Sequence, residues 1–156
     1  WLHCHHLFVD GKKMSKRKGN MLYVEDLINK GYCTRDIRFF LIYSQYRKRM
    51  NFTFNKIKRS SKKLNDFVNM TNYLLTKNNS KESSPNVHIL LDELSKSFEM
   101  HMGNDLDVKK AFDSINAIVK KLCTLKKKGK LSDKDSEILS NKLYKIDDVL
   151  QVIFVN

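Results

Sequence analysis

Glycine and proline are scarce in this sequence, which has five glycines and one proline among 156 residues. So few turn-forming residues argue against a loop-rich fold and favour helices, in keeping with the many Lys, Leu, Asn and Ser residues. Acidic residues are also in the minority, because 17 Asp+Glu oppose 30 Lys+Arg and leave a net charge of +13. An excess of this size favours polyanionic partners, of which nucleic acid is the first candidate.

Cysteine is limited to three widely spaced residues, Cys4, Cys33 and Cys123. An odd number at this spacing argues against a disulfide framework and indicates a reducing compartment. No apolar run approaches the roughly 20 residues that a helix needs to cross a bilayer. We therefore expect a cytoplasmic protein without a membrane segment. Because the chain begins with Trp1 rather than Met, we also expect it to be part of a longer protein.

A dense group of cations lies between Gly11 and Gly19, where five Lys and Arg residues surround a single serine. A flexible basic loop can bring ammonium groups against a polyphosphate, and lysine suits this task because it carries a compact charge with three donors on a long side chain. A solvated basic turn is the alternative interpretation. The order of the residues decides between the two.

The motif Lys13-Met14-Ser15-Lys16, followed by Gly19-Asn20, resembles the KMSKS signature of class I aminoacyl-tRNA synthetases, and its surroundings are most similar to the cysteinyl enzymes. Arg17 stands where that family usually has a second serine, which adds a third cation beside Lys13 and Lys16. We expect the loop chemistry to survive this change. The flanking matches are Trp1-Leu2-His3, Leu7-Phe8-Val9 and Asp10-Gly11 ahead of the motif, and residues 37–41, Tyr46-Arg47 and Asn51-Phe52 after it.

The resemblance implies an enzyme that joins cysteine to AMP with release of pyrophosphate and then transfers the cysteinyl group to the terminal ribose of its tRNA. The substrates would be cysteine, tRNA and ATP with Mg, and the protein would be a monomer. The loop would stabilise the negative charge that moves onto the leaving pyrophosphate. The ATP-binding residues that it implies are Lys13, Met14, Ser15, Lys16 and Arg17. Among these, Lys16 is the main catalytic contact and Lys13 supports it, while Gly11 and Gly19 would act as hinges.

The cluster His3, Cys4, His5 and His6 has the composition of a metal site. Adjacent residues on a strand point to opposite faces, however, and cannot converge on one tetrahedral centre. We therefore expect no metal site in this chain. The resemblance implies that the zinc site of the cysteinyl enzymes is built from residues upstream of Trp1.

The segment from Arg47 to Lys63 contains eight cations and no acidic residue. A charge run is usually a solvated helix face, but a window without one carboxylate can neutralise backbone phosphates. The resemblance places this segment toward the acceptor stem of tRNA, whereas Phe52 and Phe54 are expected in the core. The predicted tRNA-binding residues are Arg47, Lys48, Arg49, Lys58, Arg59 and Lys62.

Local patterns predict a hairpin over residues 1–16, because Asp10-Gly11 is a strong two-residue turn signal. A short helix is predicted from Val24 to Lys30, with acidic residues in its first turn and Gly31 as its stop. The polar residues 77–84 form a linker farther along the chain.

A second helix, predicted over residues 35–43 after a Thr34 cap, is apolar on nearly all sides and should be buried. Arg38 interrupts its apolar surface. We expect this guanidinium to pair with an acid on a neighbouring element rather than to bind a ligand, because a buried guanidinium must be paired.

Four longer stretches show helical periodicity after residue 56. Pro85 opens the second of them, Gly103-Asn104-Asp105 precedes the third, and Ser132 with Asp135 resembles a capping box for the fourth. Apolar stripes of this kind are not stable alone in water, so the helices must pack on one another. The predicted apolar residues of the first stripe are Ile57, Leu64, Phe67, Val68, Leu74 and Leu75, and those of the last are Leu139, Leu143, Ile146, Leu150 and Ile153.

The predicted fold is mainly α. A β-hairpin and loop, residues 1–55, precede an antiparallel four-helix bundle, residues 56–156. The resemblance implies that the first part is the end of a Rossmann-like class I catalytic domain and that the bundle docks tRNA. Two other functions stay open at this point. A ligase that couples cysteine to an amino-sugar would share the loop without needing the basic segment, and a non-catalytic helical RNA-binding module would use the loop as one more basic patch.

Overall fold

The computed structural model describes residue 1, residues 3–77, residue 80 and residues 82–154. This part of the chain contains six α-helices and a small three-stranded sheet, which confirms the mainly helical prediction. The polypeptide divides into two compact units, Trp1–Leu64 and Asn65–Asn156. Leu2 of the sequence motif and residues 78, 79 and 81 of the predicted linker lie outside the described residues.

The sheet of the first unit consists of β1 (Phe8–Val9), β2 (Lys12–Lys13) and β3 (Asn51–Phe52), in the order β2-β1-β3. Strands β1 and β2 are antiparallel, with Phe8 opposite Lys13, whereas β1 and β3 are parallel. Asp10 and Gly11 join the hairpin with φ values of 46° and 79°. Two successive positive φ values are the geometry of a type I′ turn, so the predicted Asp10-Gly11 turn is confirmed, while the strands are shorter than the predicted range of residues 1–16.

Helices α1 (Val24–Asn29) and α2 (Thr34–Ile42) lie between the hairpin and β3 in the chain. Asp26 accepts a hydrogen bond from the backbone N–H of Tyr23, which fixes the first turn of α1. Both helices bury one side against the sheet and the start of the next helix. The apolar core of this unit is formed by Leu27, Ile37, Phe40, Phe52 and Ile57.

Helix α2 is less buried than its composition predicted. Ile37, Phe39 and Phe40 are buried on one side, but Arg38 and Leu41 lie three residues apart on the exposed side, and Leu41 is 45% exposed. The expectation of a buried Arg38 is therefore wrong. A helix packed on one side only has no need to enclose its remaining apolar residue.

Two other details of the first unit differ from the sequence analysis. Thr34 is the first residue of α2 and does not cap it, because Cys33 occupies the N-cap position. Phe54 is 41% exposed rather than part of the core. Its ring packs edge-on against Phe52 at 5.3 Å, and the Lys30 ammonium lies 5.1 Å from its centroid.

Four long helices follow: α3 (Phe54–Leu75), α4 (Pro85–Gly103), α5 (Val108–Lys127) and α6 (Asp133–Leu150). Their starts agree with the sequence, because Pro85 follows the N-cap Ser84 and Ser132 forms a capping box with Asp135. Helix α3 begins in the first unit and continues into the second. Helix α4 packs against both α5 and α6.

The core of the second unit is formed by residues of the predicted apolar stripes. Phe67 of α3 and Phe112 of α5 are fully buried, with ring centroids 4.9 Å apart. Val68 and Leu75 are only half-buried. The other large side chains with no exposed surface in this unit are Leu74, Leu94, Ile115, Leu122, Leu131, Leu139 and Leu143.

Ile153 is buried as expected, but it lies beyond the end of α6. Gln151 ends the helix in the left-handed conformation, with φ 54°. The Asp147 carboxylate then accepts hydrogen bonds from the backbone N–H groups of Val152, Ile153 and Phe154. These hydrogen bonds hold residues 152–154 against the end of α6, which explains why the apolar pattern continues beyond the helix.

Across the described residues, each helix is too short or too polar to span a bilayer.

Candidate functional site

The basic loop leaves β2 at Lys13 and is shaped by backbone hydrogen bonds. The N–H of Met14 donates to the carbonyl of Leu7 at 3.0 Å, which extends the hairpin by one residue. Ser15 then caps a short 3₁₀ turn, Lys16–Lys18, and its hydroxyl oxygen accepts from the N–H of Lys18 at 3.3 Å. The turn ends at Gly19 with φ 64°. The predicted nucleotide loop is therefore a defined turn.

Asn20 closes this loop with a single side chain. Its Oδ1 accepts from the N–H of Ser15 at 3.0 Å, and its Nδ2 donates to the carbonyl of Lys13 at 3.2 Å. The Asn20 amide thus connects Lys13 and Ser15, the two neighbours of Met14, to the far end of the loop. Sequence reasoning used Asn20 only as part of the motif. The available signal was that asparagine can donate and accept at once.

The five cations of the loop region are exposed, whereas Met14 and Ser15 are half-buried. None of these cations forms an ion pair within the described part of the chain. The Ser15 hydroxyl accepts a hydrogen bond and keeps its own proton for donation. Strand β2 and the short turn after it therefore concentrate uncompensated positive charge, as binding of a polyphosphate requires. The five are Lys12, Lys13, Lys16, Arg17 and Lys18.

The two predicted hinge glycines both adopt left-handed backbone conformations, with φ 79° for Gly11 and 64° for Gly19. Residues with a side chain are strained in this region. The N–H of Gly11 donates to Oδ1 of Asn51 at 2.8 Å, which connects the hairpin turn to β3.

Arg47, Lys48 and Arg49 are exposed in the segment between α2 and β3. The Arg49 guanidinium lies 4.2 Å from the centroid of the Phe8 ring, and Nε of Arg47 donates to the Tyr46 hydroxyl at 3.0 Å. The contact with Phe8 holds Arg49 beside strand β1, which pairs with the strand that leads into the basic loop. A guanidinium stacked on a ring still presents its edge N–H groups.

Lys58, Arg59 and Lys62 are exposed on the second and third turns of α3. Two other cations of the same window serve the fold. The Lys56 ammonium donates to the Asn51 carbonyl at 3.1 Å, and the Lys63 ammonium donates to the Tyr43 hydroxyl. The six residues predicted to bind tRNA are thus all at the surface of the first unit, in two chain segments.

The histidine and cysteine cluster near the N-terminus is exposed at His3, Cys4, His5 and His6. No group of three or more His, Cys, Asp or Glu residues in the described ranges is placed to hold a metal ion.

Residues 1–62 match the family model described as tRNA synthetases class I (C) catalytic domain. The chain is similar to the cysteine–tRNA ligase of Protochlamydia amoebophila, with 32% identity over 156 residues that cover 98% of the chain and 32% of the relative. The corresponding ligase of Brachyspira hyodysenteriae is 42% identical over 127 residues, covering 80% of the chain and 27% of the relative. That of Chlamydia pneumoniae is 33% identical over 156 residues, with coverages of 98% and 32%.

The chain spans about a third of the length of these curated relatives. The similarity nevertheless extends beyond the catalytic match and through the helices of the second unit. The loop, its signature and this continuous similarity agree: residues 1–62 match a class I synthetase catalytic domain, and 80–98% of the chain is similar to cysteine–tRNA ligases.

Proposed function

We propose that this chain supplies the ATP-closing loop and the tRNA-facing helices of a cysteine–tRNA ligase. The observation that carries the proposal is the clamped loop with five exposed, uncompensated cations at the family's signature. Cysteine would attack the α-phosphorus of ATP to give cysteinyl-AMP and pyrophosphate. The tRNA ribose would then take the cysteinyl group and release AMP.

The loop residues would act on the first of these steps. Lys16 would contact the leaving pyrophosphate, supported by Lys13, with Ser15 as a hydrogen-bond donor and Met14 and Arg17 completing the ATP-binding set. Fixed positive charge lowers the barrier where negative charge develops, and the loop delivers it once it closes on the nucleotide. Mg bound to ATP would neutralise part of the same charge. Gly11 and Gly19 would allow the closure.

The proposed tRNA contacts are Arg47, Lys48, Arg49, Lys58, Arg59 and Lys62. Their exposure supports this role. Lys56 and Lys63, the other two cations of the segment, form contacts within the fold and are not included in the set. Contacts of this kind would position the backbone without reading sequence.

The two parts of the chain would correspond to two domains of the ligase. Residues 1–55 would form the end of a Rossmann-like catalytic domain, because a parallel pair such as β1 and β3 with helices between is typical of α/β domains. Residues 56–156 would form an antiparallel four-helix bundle, in keeping with α4 packing on α5 and α6 and with the Phe67–Phe112 contact. The compact units divide a little later, within α3.

Three further expectations belong to the whole enzyme. It would hold zinc through residues outside this chain, act as a monomer and work in the cytoplasm.

The proposal is tested by offering the enzyme that contains this chain cysteine, ATP and one acceptor at a time. We expect cysteine-dependent release of pyrophosphate and charging of cysteine tRNA, with serine as the amino-acid control. Transfer to an amino-sugar acceptor instead of tRNA would contradict the proposal. Binding of RNA without activation of cysteine would support the alternative function, a non-catalytic RNA-binding module.

A further inference from the structure

The end of α5 carries a second basic segment, apart from the residues predicted to bind tRNA. Between Asp113 and Asp133 the chain contains six lysines and no acidic residue. Five of these lysines are exposed and one is buried. The exposed residues are Lys120, Lys121, Lys127, Lys128 and Lys130.

Four of the five lysines share one side of the helix. Seven residues make about two turns, so Lys127 lies below Lys120, and Lys128 lies below Lys121, each about 10 Å farther along the axis. Thr124 is exposed between them. We call these four residues the lysine face of α5, and Lys130 continues it into the following turn.

The buried sixth lysine, Lys126, anchors this end of the helix. Its ammonium donates to the carbonyls of Tyr73 at 2.8 Å and Leu74 at 2.9 Å, and also to the carbonyl of Thr76. The turn after α5 is fixed as well, because the N–H of Ser84 donates to the Lys130 carbonyl at 3.1 Å. The exposed lysines therefore extend from an ordered backbone, which lowers the entropy cost of binding.

The lysines at the two ends of α5 differ in their ion pairs. At the N-terminal end, Lys109 pairs with Asp113 at 2.7 Å and Lys110 pairs with Asp107 at 3.1 Å. At the other end, no residue of the lysine face forms an ion pair with any described residue. Attraction to the helix dipole accounts for cations in the last turn only, and Lys120 and Lys121 lie before it.

We propose that the lysine face of α5 is a second nucleic-acid surface, in the second compact unit, that binds the phosphate backbone of RNA. The inference rests on the proposed function, which supplies tRNA as the polyanion, and it assigns residues of the helical part to that partner. A membrane surface fits less well, because interfacial helices also expose large apolar side chains. None of the exposed large apolar residues in the described ranges belongs to α5.

The test is a salt titration of tRNA binding by the 156-residue chain, using a cysteine tRNA transcript. In the variant Lys120→Gln/Lys127→Gln, we expect weaker binding and a salt slope lower by about 1.4 to 1.8, since each of the two lost phosphate contacts removes about 0.7 to 0.9. The matched control, Lys96→Gln/Lys145→Gln, removes the same charge from exposed sites on α4 and α6. It should leave the slope near the wild-type value, as should Lys120→Arg/Lys127→Arg.

Equal losses in the variant and the control would show attraction to net charge only and would overturn the inference. An unchanged slope in Lys120→Gln/Lys127→Gln would do the same. Loss of binding to phosphatidylserine vesicles without loss of tRNA binding would assign the face to a membrane instead. Cysteine-dependent ATP–pyrophosphate exchange by the enzyme separates the two claims, because intact exchange with an unchanged slope would leave the proposed function standing and remove this surface alone.

Discussion

At the scale of single residues, two polar side chains shape this molecule by completing backbone hydrogen bonds. Asn20 connects Lys13 and Ser15 across the basic loop, and Lys126 caps the end of α3. Neither role can be predicted from local sequence, because each depends on backbone groups that the fold brings close to the side chain. Lys126 stands among neighbouring lysines in the sequence, and nothing in that pattern distinguishes it as the buried one.

Asn20 is a positioning residue for the loop, and its replacement should loosen the loop without unfolding the chain. In Asn20→Ala we expect the Ser15 amide to exchange its hydrogen faster and adenylate formation to slow by about 10-fold, because misplaced groups lose much of their effect. Asn20→Asp keeps the acceptor for Ser15 but loses the donor to Lys13, so its amide exchange should be intermediate. Hydrogen exchange read by NMR checks the first point, and unchanged Ser15 exchange in Asn20→Ala would contradict it.

Lys126 is a buried residue, 6% exposed, and contributes to stability through the hydrogen bonds of its ammonium. Burial lowers the pKa of this ammonium below its usual range, and the carbonyls it contacts compensate its lost hydration. Lys126→Met keeps the apolar length and leaves those carbonyls without their donor, so we expect a loss of about 1 to 3 kcal/mol in the free energy of unfolding.

Urea titration measures that loss. The exposed neighbour Lys127→Met is the control and should change stability by less than about 0.5 kcal/mol. Equal stability of the two variants would mean that the Lys126 contacts contribute nothing.

At the scale of elements, sequence reasoning succeeded where local chemistry decides the structure. The Asp10-Gly11 hairpin, the Pro85 start and the Ser132–Asp135 capping box are all local patterns, and each is present. It failed at Leu41 and Phe54, because exposure depends on which neighbours cover a residue rather than on its hydrophobicity.

The basic segment before β3 carries the prediction at this scale. Neutralising Arg47, Lys48 and Arg49 together should weaken tRNA binding and lower the salt slope by about two to three units, if each residue contacts one phosphate. Formation of cysteinyl-AMP should not change. A filter-binding titration with the same slope as the wild type would show that these residues are only solvated.

Loss of the Arg49–Phe8 contact could also disturb β1, so Arg49→Lys serves as the control. It keeps the charge and should preserve most of the slope.

At the scale of the whole molecule, the two compact units are expected to differ in stability. The second unit encloses fully buried residues from α3 to α6, whereas the first combines a core cluster of five buried residues with strands of two residues each. A hairpin alone is marginal in water. The similarity to cysteine–tRNA ligases could be predicted from the motif, while the packing within each unit could not, because packing depends on contacts between residues far apart in sequence.

The 156-residue chain should therefore show helical circular dichroism with a cooperative thermal transition. Its purified form should make no cysteinyl-AMP, since it spans only about a third of its relatives' length. Cysteine-dependent ATP–pyrophosphate exchange by the isolated chain would contradict this division of roles.

The central claim is that the loop at Lys13 and Lys16 stabilises the transition state of cysteine activation. Its most direct test is ATP–pyrophosphate exchange by the enzyme that contains this chain, comparing Lys16→Ala with the wild type and with Arg17→Ser. We expect Lys16→Ala to slow exchange by roughly 10²- to 10³-fold with cysteine binding near normal, because the lost charge acts on the transition state. Arg17→Ser should have little effect. Wild-type exchange by Lys16→Ala would remove the loop from the mechanism.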